Sequence, residues 1–416
     1  MTAGNEAGGI VPLLEPRDGL PPVVATDAAL AEVTGRLARG EGPVAVDAER
    51  ASGYRYGQRA YLVQLRRSGA GTTLIDPIAC PDLSGVDAAL QDAEAVLHAA
   101  SQDLPCLAEI GFRPRRLFDT ELAGRLLGYP RVALGTLVEE VLGFHLEKGH
   151  SAADWSARPL REELLRYAAL DVEVLTELRD ALADELDAQG KAEWARQEFA
   201  AVLAARPAPA RADPWRRTSG IHRVRNQRGL AAVRELWTVR DAIAQRRDIA
   251  PGRILPDSAI IDAATADPKT LDDLIALPIF GGRRQRRSAG TWLAALEAAR
   301  ENPGPAVEAE PPNGPPAPAR WAKRRPEAAE RLDAARTALR KLSAQVSVPT
   351  ENLASPDLVR RLCWDWEDAD DTAMAIDEFL AAGQARGWQR ELVVPVLAAA
   401  LEPTPEDTED VSPGVR

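Results

Sequence analysis

The chain has 416 residues, 45% of them hydrophobic, and a formal net charge of −12 at neutral pH. This length predicts two to four domains, and the apolar residues are numerous enough for their cores. No apolar run approaches the ~20 residues of a membrane-spanning helix, which argues against an integral membrane protein. Cys80, Cys106 and Cys363 are too few and too widely spaced for a disulfide framework, so we expect a cytoplasmic protein.

The N-terminal half of the chain alternates strand and helix signals. Residues 1–20 are rich in Gly and Pro and are predicted to be disordered. Residues 21–204 are predicted to form an α/β domain. Its predicted strands are VAVDAE, YLVQL, TTLID, AVLHA and RLFD, and its predicted helices lie near 27–39, 101–111, 120–128, 134–143 and 160–204.

The C-terminal half is predicted to be helical, with proline-rich breaks. Residues 205–225 contain the string ARPAPARADP and are predicted to form a hinge, and residues 226–300 carry several amphipathic helical patterns. Residues 301–325 are so rich in proline that we expect a stiff, extended linker. Residues 326–401 are again helical and loosely repeat the layout of the first helical domain, and residues 402–416 form an acidic tail.

Two pairs of residues stand out as candidates for chemistry. Asp47 and Glu49 lie in VAVDAER, where strand geometry places both carboxylates on one side, about 7 Å apart along the strand. Tyr167 and Asp171 are four residues apart in RYAALDVEVLTEL and share one face of a helix. Asp171 interrupts an apolar stripe, so its charge is costly unless a cation compensates it. A divalent metal shared with Asp47 and Glu49 is the simplest such cation.

Each of these features also has an ordinary structural explanation. A lone Asp-x-Glu on a strand is usually a solvated face or a turn, and an Asp on an apolar stripe can cap a helix or pair with an Arg. Asp119 fits a helix N-cap better than a metal ligand. His98 ends an apolar strand and is expected to form structural hydrogen bonds, whereas either role is open for His150. Nothing in the sequence favours a zinc site.

In combination, the motifs resemble those of the ribonuclease D family. The family's first motif matches VAVDAERASGYRYGQRAYLVQL, its second matches LHAASQDLPCL, and its third matches RYAALDVEVL. The string from Trp155 to Leu160 resembles the family's approach to the third motif and differs from polymerase proofreading domains. The resemblance implies a ribonuclease-H-like fold, a mixed sheet flanked by helices, for residues 21–204. Residues 226–300 resemble a helicase-and-RNase-D C-terminal (HRDC) domain, and residues 326–401 resemble a degenerate second copy.

The resemblance also implies an activity and a set of catalytic residues. The implied function is a 3′→5′ exoribonuclease that trims structured RNA, such as tRNA precursors, and releases 5′-mononucleotides. Two divalent ions, Mg²⁺ or Mn²⁺, would serve the hydrolysis. Asp47 would bridge both ions, Glu49 and Asp171 would complete the first ion site, Asp103 would hold the second ion, and Tyr167 would orient the attacking water.

Two other functions are compatible with the same motifs. A DNA exonuclease would use the same site, because nothing in the sequence reveals a contact with a 2′-hydroxyl group. A non-catalytic RNA-binding scaffold is a third possibility, and the intact acidic set argues against it. The sequence shows no evident need for a protein partner.

The expected RNA contacts follow the distribution of positive charge. Residues 215–300 carry 16 Lys and Arg against nine Asp and Glu, although the chain as a whole is acidic. Within them, GGRRQRRSAG is either a solvated charge run or a phosphate grip at the start of a helix. Lys148 and Trp155 lie in a loop before the third motif, where we also expect substrate contacts. The arginines of the proposed grip are Arg283, Arg284, Arg286 and Arg287.

Overall fold

The computed structural model describes most of the chain. The described residues are 10–147, 149, 152–206, 212–301, 303, 314–367 and 370–401. They form an α/β domain followed by two helical units. Among these residues, no helix combines the length and the apolar character that crossing a membrane would require.

A six-stranded mixed sheet organises the α/β domain, in the order β2-β5-β4-β3-β6-β7. Strand β4 is antiparallel to both of its neighbours, and the remaining pairs are parallel. This confirms the mixed sheet flanked by helices. The strands of the domain are β1 (Val11–Leu13), β2 (Val23–Val24), β3 (Glu41–Arg50), β4 (Ala60–Ser68), β5 (Gly71–Ile75), β6 (Ala95–Leu97), β7 (Leu117–Asp119) and β8 (Phe144–Leu146).

Eight α-helices lie in the described part of this domain. They are α1 (Asp27–Arg39), α2 (Ser84–Ala89), α3 (Leu104–Glu109), α4 (Thr120–Leu127), α5 (Leu134–Leu137), α6 (Glu162–Glu173), α7 (Leu175–Ala188) and α8 (Ala192–Ala204). The single helix predicted over 160–204 is thus three helices. One break lies at Val174, which leaves helical geometry, and the other includes Gly190, whose φ of 67° suits glycine.

The N-terminal segment departs from its sequence-based prediction. Strand β1 pairs in parallel with β8, and the backbone N–H of Arg17 donates a hydrogen bond to Glu173 at 3.2 Å. Arg17 also forms an ion pair with Glu177 on α7. The prediction of disorder is therefore wrong for residues 10–20, because the glycine- and proline-rich composition hid a short apolar strand. Residues 1–9 lie outside the described residues.

The first helical unit begins soon after the α/β domain. Its helices are α9 (Gln227–Arg247), α10 (Pro251–Ile254), α11 (Asp257–Ala266), α12 (Leu271–Ile275) and α13 (Arg283–Glu301). Trp292 is buried in its core, and Trp237 packs against that core while partly buried. Trp215 is also buried here, so the unit includes part of the segment predicted to be a hinge.

The second helical unit repeats part of this layout. It contains α14 (Trp321–Arg324), α15 (Pro326–Val346), α16 (Thr350–Leu353), α17 (Pro356–Asp365), α18 (Thr372–Ala382) and α19 (Gly387–Leu401). Helices α15, α16 and α17 have 21, 4 and 10 residues, the same lengths as α9, α10 and α11. Asp248 and Ser347, which follow the two long helices, are both left-handed, with φ of 48° and 51°. This agreement supports the proposal of a divergent second copy.

The predicted linker before this second unit is shorter than its composition indicates. Trp321 is fully buried, and its indole N–H donates to the Pro316 carbonyl at 2.8 Å. Residues 314–325 therefore pack as part of the second unit rather than as an extended spacer. Residues 302 and 304–313 lie outside the described residues.

The two helical units attach to different parts of the α/β domain. The first contacts the segment between β3 and β4, residues 51–59, which we call the cavity loop. The second packs on α8, where Trp388 stacks on Trp194 with ring centroids 4.9 Å apart. The indole N–H of Trp388 donates to Glu198 at 2.9 Å, and Arg386 forms an ion pair with the same carboxylate.

Candidate active site

Three predicted carboxylates meet where α6 crosses the sheet. Asp47 and Glu49 project from β3, and Asp171 projects from α6, which packs across β3, β4 and β5. One oxygen from each of the three lies within 4.8 Å of the others. We call these three residues the acidic group. The strand and helix periodicities correctly predict which faces of β3 and α6 meet.

Tyr167 lies one helical turn before Asp171 and belongs to the same constellation. Its hydroxyl donates a hydrogen bond to the Asp171 carboxylate. Burial raises the pKa of Tyr167, and the negative charges of Asp171, Glu49 and Asp47 raise it further. The phenol therefore stays protonated at neutral pH and can orient a neighbouring group, but it cannot act as a base.

Asp103 reaches the same cavity from another wall, held by a turn between β6 and α3. Ala99 in this turn is left-handed, with φ of 57°, and the backbone N–H groups of Ala99 and Ala100 donate to Asp119 at 3.1 and 2.8 Å. Asp119 also accepts from Glu121 and Leu122 and caps α4, as predicted. Its carboxylate thereby fixes the turn that carries Asp103. Asp103 is not part of the acidic group, so its role as a metal ligand stays a prediction.

Burial makes the charges in this cavity costly. Desolvation, followed in Glu49 and Asp103 by repulsion from neighbouring carboxylates, raises the pKa of Asp47 to about 6, of Asp103 to about 8 and of Glu49 to about 10. The pKa of Asp171 is likewise raised well above its usual value by burial and by Asp47. A bound divalent cation would favour the ionised form of each of these carboxylates.

His98 lines the cavity and makes a hydrogen bond of the kind that its sequence context predicts. His98 Nδ1 lies 2.9 Å from the Thr120 hydroxyl oxygen. Burial lowers the pKa of His98 to about 4, so the ring is neutral. It is not one of the clustered potential metal ligands among the described residues. His150 lies outside the described residues.

The acidic group opens into a cavity of about 820 Å³. Asp103, Tyr167 and two residues of the cavity loop, Ser52 and Gly53, also line it. Arg50 lines the cavity as well, and sequence reasoning missed it. The sequence feature that could have identified Arg50 is its position directly after Asp47 and Glu49. An arginine at that position can also be interpreted as the solvated end of a strand.

The structure contradicts one predicted RNA contact. The ring of Trp155 is fully buried, with its centroid 6.4 Å from that of Tyr167, so it cannot stack on a base. It packs with Leu62, Leu74 and Leu164 between α6 and the sheet. Burial of the large apolar surface of the indole stabilises this packing, although the residue lies in a loop. Lys148 lies outside the described residues.

The arginines of the predicted grip occupy the first turn of α13. Arg283, Arg284, Arg286 and Arg287 are all exposed, and within the described part of the chain none forms an ion pair. We call these four residues the arginine row. Between them, buried Gln285 donates to the Ile254 carbonyl at 2.7 Å and accepts from the Trp292 indole at 3.0 Å. Gln285 thus fixes this part of α13 to the core of the unit, and the four exposed guanidinium groups can bind a ligand from solution.

The cavity loop joins the acidic group to the first helical unit. The Ala250 N–H donates to the Tyr54 carbonyl at 2.9 Å, and Arg253 donates to the Gly53 carbonyl at 2.7 Å while lying 3.9 Å from the Tyr54 ring centroid. The Tyr56 hydroxyl donates to Asp241 at 3.0 Å. These contacts join residues 185 to 200 positions apart, so no local pattern in the sequence predicts them.

Comparison with known proteins agrees with this geometry. A 3′-5′ exonuclease family model matches residues 21–187, an HRDC domain model matches residues 229–296, and a model of a 3′ to 5′ exonuclease C-terminal domain matches residues 314–401. The fold and the acidic group, together with these matches, define a hydrolytic 3′→5′ exonuclease that carries an HRDC domain.

Similar proteins narrow this class. Ribonuclease D of Acidiphilium cryptum is 31% identical over 90% of this chain and 97% of its own length. A crystal structure of a protein from Bifidobacterium adolescentis has a TM-score of 0.86 and 37% identity, covering 94% of this chain and 100% of that one. Escherichia coli RNase D, described as an exoribonuclease involved in structured RNA processing, has a TM-score of 0.64 and 26% identity, covering 91% and 98%. The chain belongs to the ribonuclease D family and is a 3′→5′ exoribonuclease.

Proposed function

We propose that this exoribonuclease trims the 3′ ends of structured RNA, such as tRNA precursors, by two-metal-ion hydrolysis and releases 5′-mononucleotides. The observation that carries the proposal is the buried acidic group at the base of a cavity that Asp103 and Tyr167 also line. The relative from Escherichia coli, which is described as acting in structured RNA processing, supports the substrate class.

The side chains fit divalent ions of the hard, oxygen-seeking kind. Oxygens of Asp47, Glu49 and Asp171 lie within 4.8 Å of one another, and burial penalises their charge. Carboxylates of this kind suit Mg²⁺ or Mn²⁺, and they would hold one ion together, with Asp47 and Asp103 holding the other. Bound ions would supply a hydroxide nucleophile at neutral pH and would stabilise the leaving 3′ oxygen.

The protein's own groups position the reacting atoms. Tyr167 is fixed by its hydrogen bond to Asp171, so its hydroxyl has a defined direction at the cavity wall. Because the phenol stays protonated, we assign it the orientation of the attacking water rather than proton abstraction. Asp119 holds the turn that presents Asp103, so Asp119 acts as a positioning residue.

The arginine row is our candidate for the grip on RNA away from the cut. Four exposed guanidinium groups on the first turn of a 19-residue helix suit phosphate oxygens, and the helix start adds favourable dipole charge. This surface would hold the body of the RNA while its 3′ end enters the cavity. Lys148 is a further candidate on the α/β domain.

The decisive experiment compares matched substrates. A 5′-labelled tRNA precursor, a short single-stranded RNA and a DNA of the same sequence are incubated with Mg²⁺, Mn²⁺ or EDTA. We expect stepwise shortening of both RNAs from the 3′ end, release of 5′-mononucleotides and no activity in EDTA. Equal or faster degradation of the DNA would favour a DNA exonuclease, and activity in EDTA would contradict the metal requirement.

A further inference from the structure

Arg50 is a cation in a cavity otherwise dominated by carboxylates. Among the described residues that line the cavity, it is the only Arg or Lys. Its Nη1 donates to the Gln102 carbonyl at 2.7 Å, and its Nη2 lies 3.2 Å from Asp103 Oδ1. The side chain therefore spans the gap between the end of β3 and the turn that carries Asp103.

These two contacts use only part of the guanidinium. The group has five N–H donors in a rigid, planar fork, and the described residues supply acceptors for two of them. The side chain is 26% exposed, so donors remain accessible from the cavity. An acceptor that arrives from the cavity can therefore bind Arg50 without breaking its bonds to Gln102 and Asp103.

We propose that Arg50 binds a phosphate oxygen of the RNA 3′ end while it stays fixed to Gln102 and Asp103. The planar fork of an arginine matches phosphate oxygens, and its two anchors hold it in one orientation. An RNA backbone that enters a cavity lined by five carboxylates also needs a cation other than the metal ions. The inference rests on the proposed function and deepens it by naming a protein group that contacts the substrate.

A purely structural role would make Arg50 a counter-charge for the carboxylates. Its positive charge does oppose the rise in the pKa of Asp47, Glu49 and Asp103. Bound divalent ions would neutralise the same carboxylates, so a counter-charge would no longer affect activity at saturating metal. A phosphate contact keeps its importance at saturating metal, and this difference separates the two roles.

The test uses full-length protein with Arg50→Ala, Arg50→Lys and the control Arg161→Ala. Arg161 is an exposed arginine of the same domain whose side chain pairs with Glu163 and does not line the cavity. The first readout is kcat/KM on a short single-stranded RNA at saturating Mg²⁺. The second is equilibrium binding of adenosine 5′-monophosphate, which reports phosphate recognition without turnover. The third is the Mg²⁺ concentration for half-maximal activity.

For Arg50→Ala we expect kcat/KM to fall about ten- to hundredfold and nucleotide binding to weaken about tenfold, as for the loss of a charged hydrogen bond. Arg50→Lys should lie between this variant and wild type, because a lysine keeps the charge but loses the fork. Arg161→Ala should match wild type. Should Arg50→Ala fail to fold, Arg50→Lys answers the same question.

Two results would overturn the proposal. One is a variant whose nucleotide binding and kcat/KM at saturating Mg²⁺ equal those of Arg161→Ala. The other is a variant that differs from wild type only in the Mg²⁺ requirement, which would make Arg50 a counter-charge. A wild-type protein that binds the nucleotide through Arg50 but degrades no RNA would contradict the proposed function and leave the phosphate contact standing.

Discussion

The acidic group and the arginine row carry opposite charges and are held by the fold in opposite ways. The acidic group is buried, and β3 and α6 force its three carboxylates together against their mutual repulsion. The arginine row lies on an exposed helical turn, where water screens each charge. A buried group of like charges lowers the stability of the folded state. Such a group therefore indicates a binding site, where a cationic ligand offsets the loss of stability. The exposed arginine row lowers the stability of the folded state only slightly, and the fold does not fix the positions of its guanidinium groups.

This contrast predicts that one carboxylate can be removed with a large loss of activity and a gain in stability. Asp47→Asn should lower turnover at least about 10³-fold at saturating Mg²⁺, because it removes an oxygen charge that both ions would share. The same variant should melt at a higher temperature than wild type in EDTA, because repulsion among the carboxylates is relieved. Mononucleotide release and thermal unfolding measure the two effects.

The control for Asp47→Asn is Asp180→Asn. Asp180 is an exposed carboxylate of the same domain that pairs with Arg179 and does not line the cavity. It should leave both readouts at wild-type values. Near-normal turnover by Asp47→Asn would remove the acidic group from the mechanism.

The pH dependence of the metal-free protein should show the same cost. Folding raises the pKa of Asp47 from 3.8 to about 6 and that of Glu49 from 4.5 to about 10. A group whose folded pKa is raised favours the folded state below its unfolded pKa, and this contribution is lost as pH rises through the folded pKa. In EDTA, the stability should therefore fall between about pH 4 and pH 10, by on the order of a hundredfold in the folding equilibrium from Asp47 alone.

The measurement is the thermal midpoint of unfolding at several pH values, with EDTA and with excess Mg²⁺. Mg²⁺ binds the ionised carboxylates and should flatten the decline. The double variant Asp47→Asn, Glu49→Gln should flatten it in EDTA as well. A decline of equal size in that variant would mean that other groups cause it.

Tyr167 tests whether the cavity positions reacting atoms as well as charges. Tyr167→Phe should lower kcat about ten- to hundredfold and leave the affinity for RNA nearly unchanged, because the hydroxyl acts on the reacting water. Turnover at saturating RNA and a separate binding isotherm distinguish the two effects. Weaker binding with unaltered turnover at saturation would make Tyr167 a binding residue instead.

The sequence predicts contacts that follow from the local periodicity of a strand or a helix. It does not predict burial or contacts between distant segments. Asp47 and Glu49 on a strand, and Tyr167 and Asp171 on a helix, follow from local periodicity, and the expectation that they meet is correct. Trp155 was misassigned because loop position does not report burial. The tie between Asp248 and the cavity loop was not predictable, because it joins distant segments through single hydrogen bonds and ion pairs.

The arginine row provides the next test, with smaller expected effects. Replacement of Arg283, Arg284, Arg286 and Arg287 by Ala should weaken binding of a tRNA precursor about tenfold or more. It should also reduce the slope of log affinity against log salt by up to about 3, because fewer counterions are released. Cleavage of a short single strand should change little, since that substrate does not need to reach α13.

A matched quadruple variant in the second helical unit controls for net charge. Arg320, Lys323, Arg324 and Arg336 are exposed there, so their replacement by Ala removes the same charge from the corresponding unit. This control should keep a steeper salt dependence than the arginine-row variant. Equal slopes and affinities for both variants would reduce the arginine row to a solvated face.

The smallest expected effect concerns the connection between the two regions. Asp248 ends α9, accepts a hydrogen bond from the Tyr56 N–H at 3.3 Å and lies 3.5 Å from Arg55 of the cavity loop. Because Asp248 is left-handed and asparagine tolerates that conformation, Asp248→Asn removes the charge without straining the backbone. Since the cavity loop begins two residues after Glu49 and lines the cavity, we expect kcat on a short RNA to fall about threefold with little change in melting temperature.

Asp267→Asn is the control for this loop contact. Asp267 is also left-handed, with φ of 47°, and pairs with Lys269 and Arg300 within the first helical unit, away from the cavity loop. A loss of turnover confined to Asp248→Asn would mean that the helical unit supports the cavity wall in addition to gripping RNA. Equal turnover in both variants would mean that the acidic cavity works independently of the unit docked beside it. The basic helical unit would then contribute through RNA affinity alone, and the separation between the two charged regions would be complete.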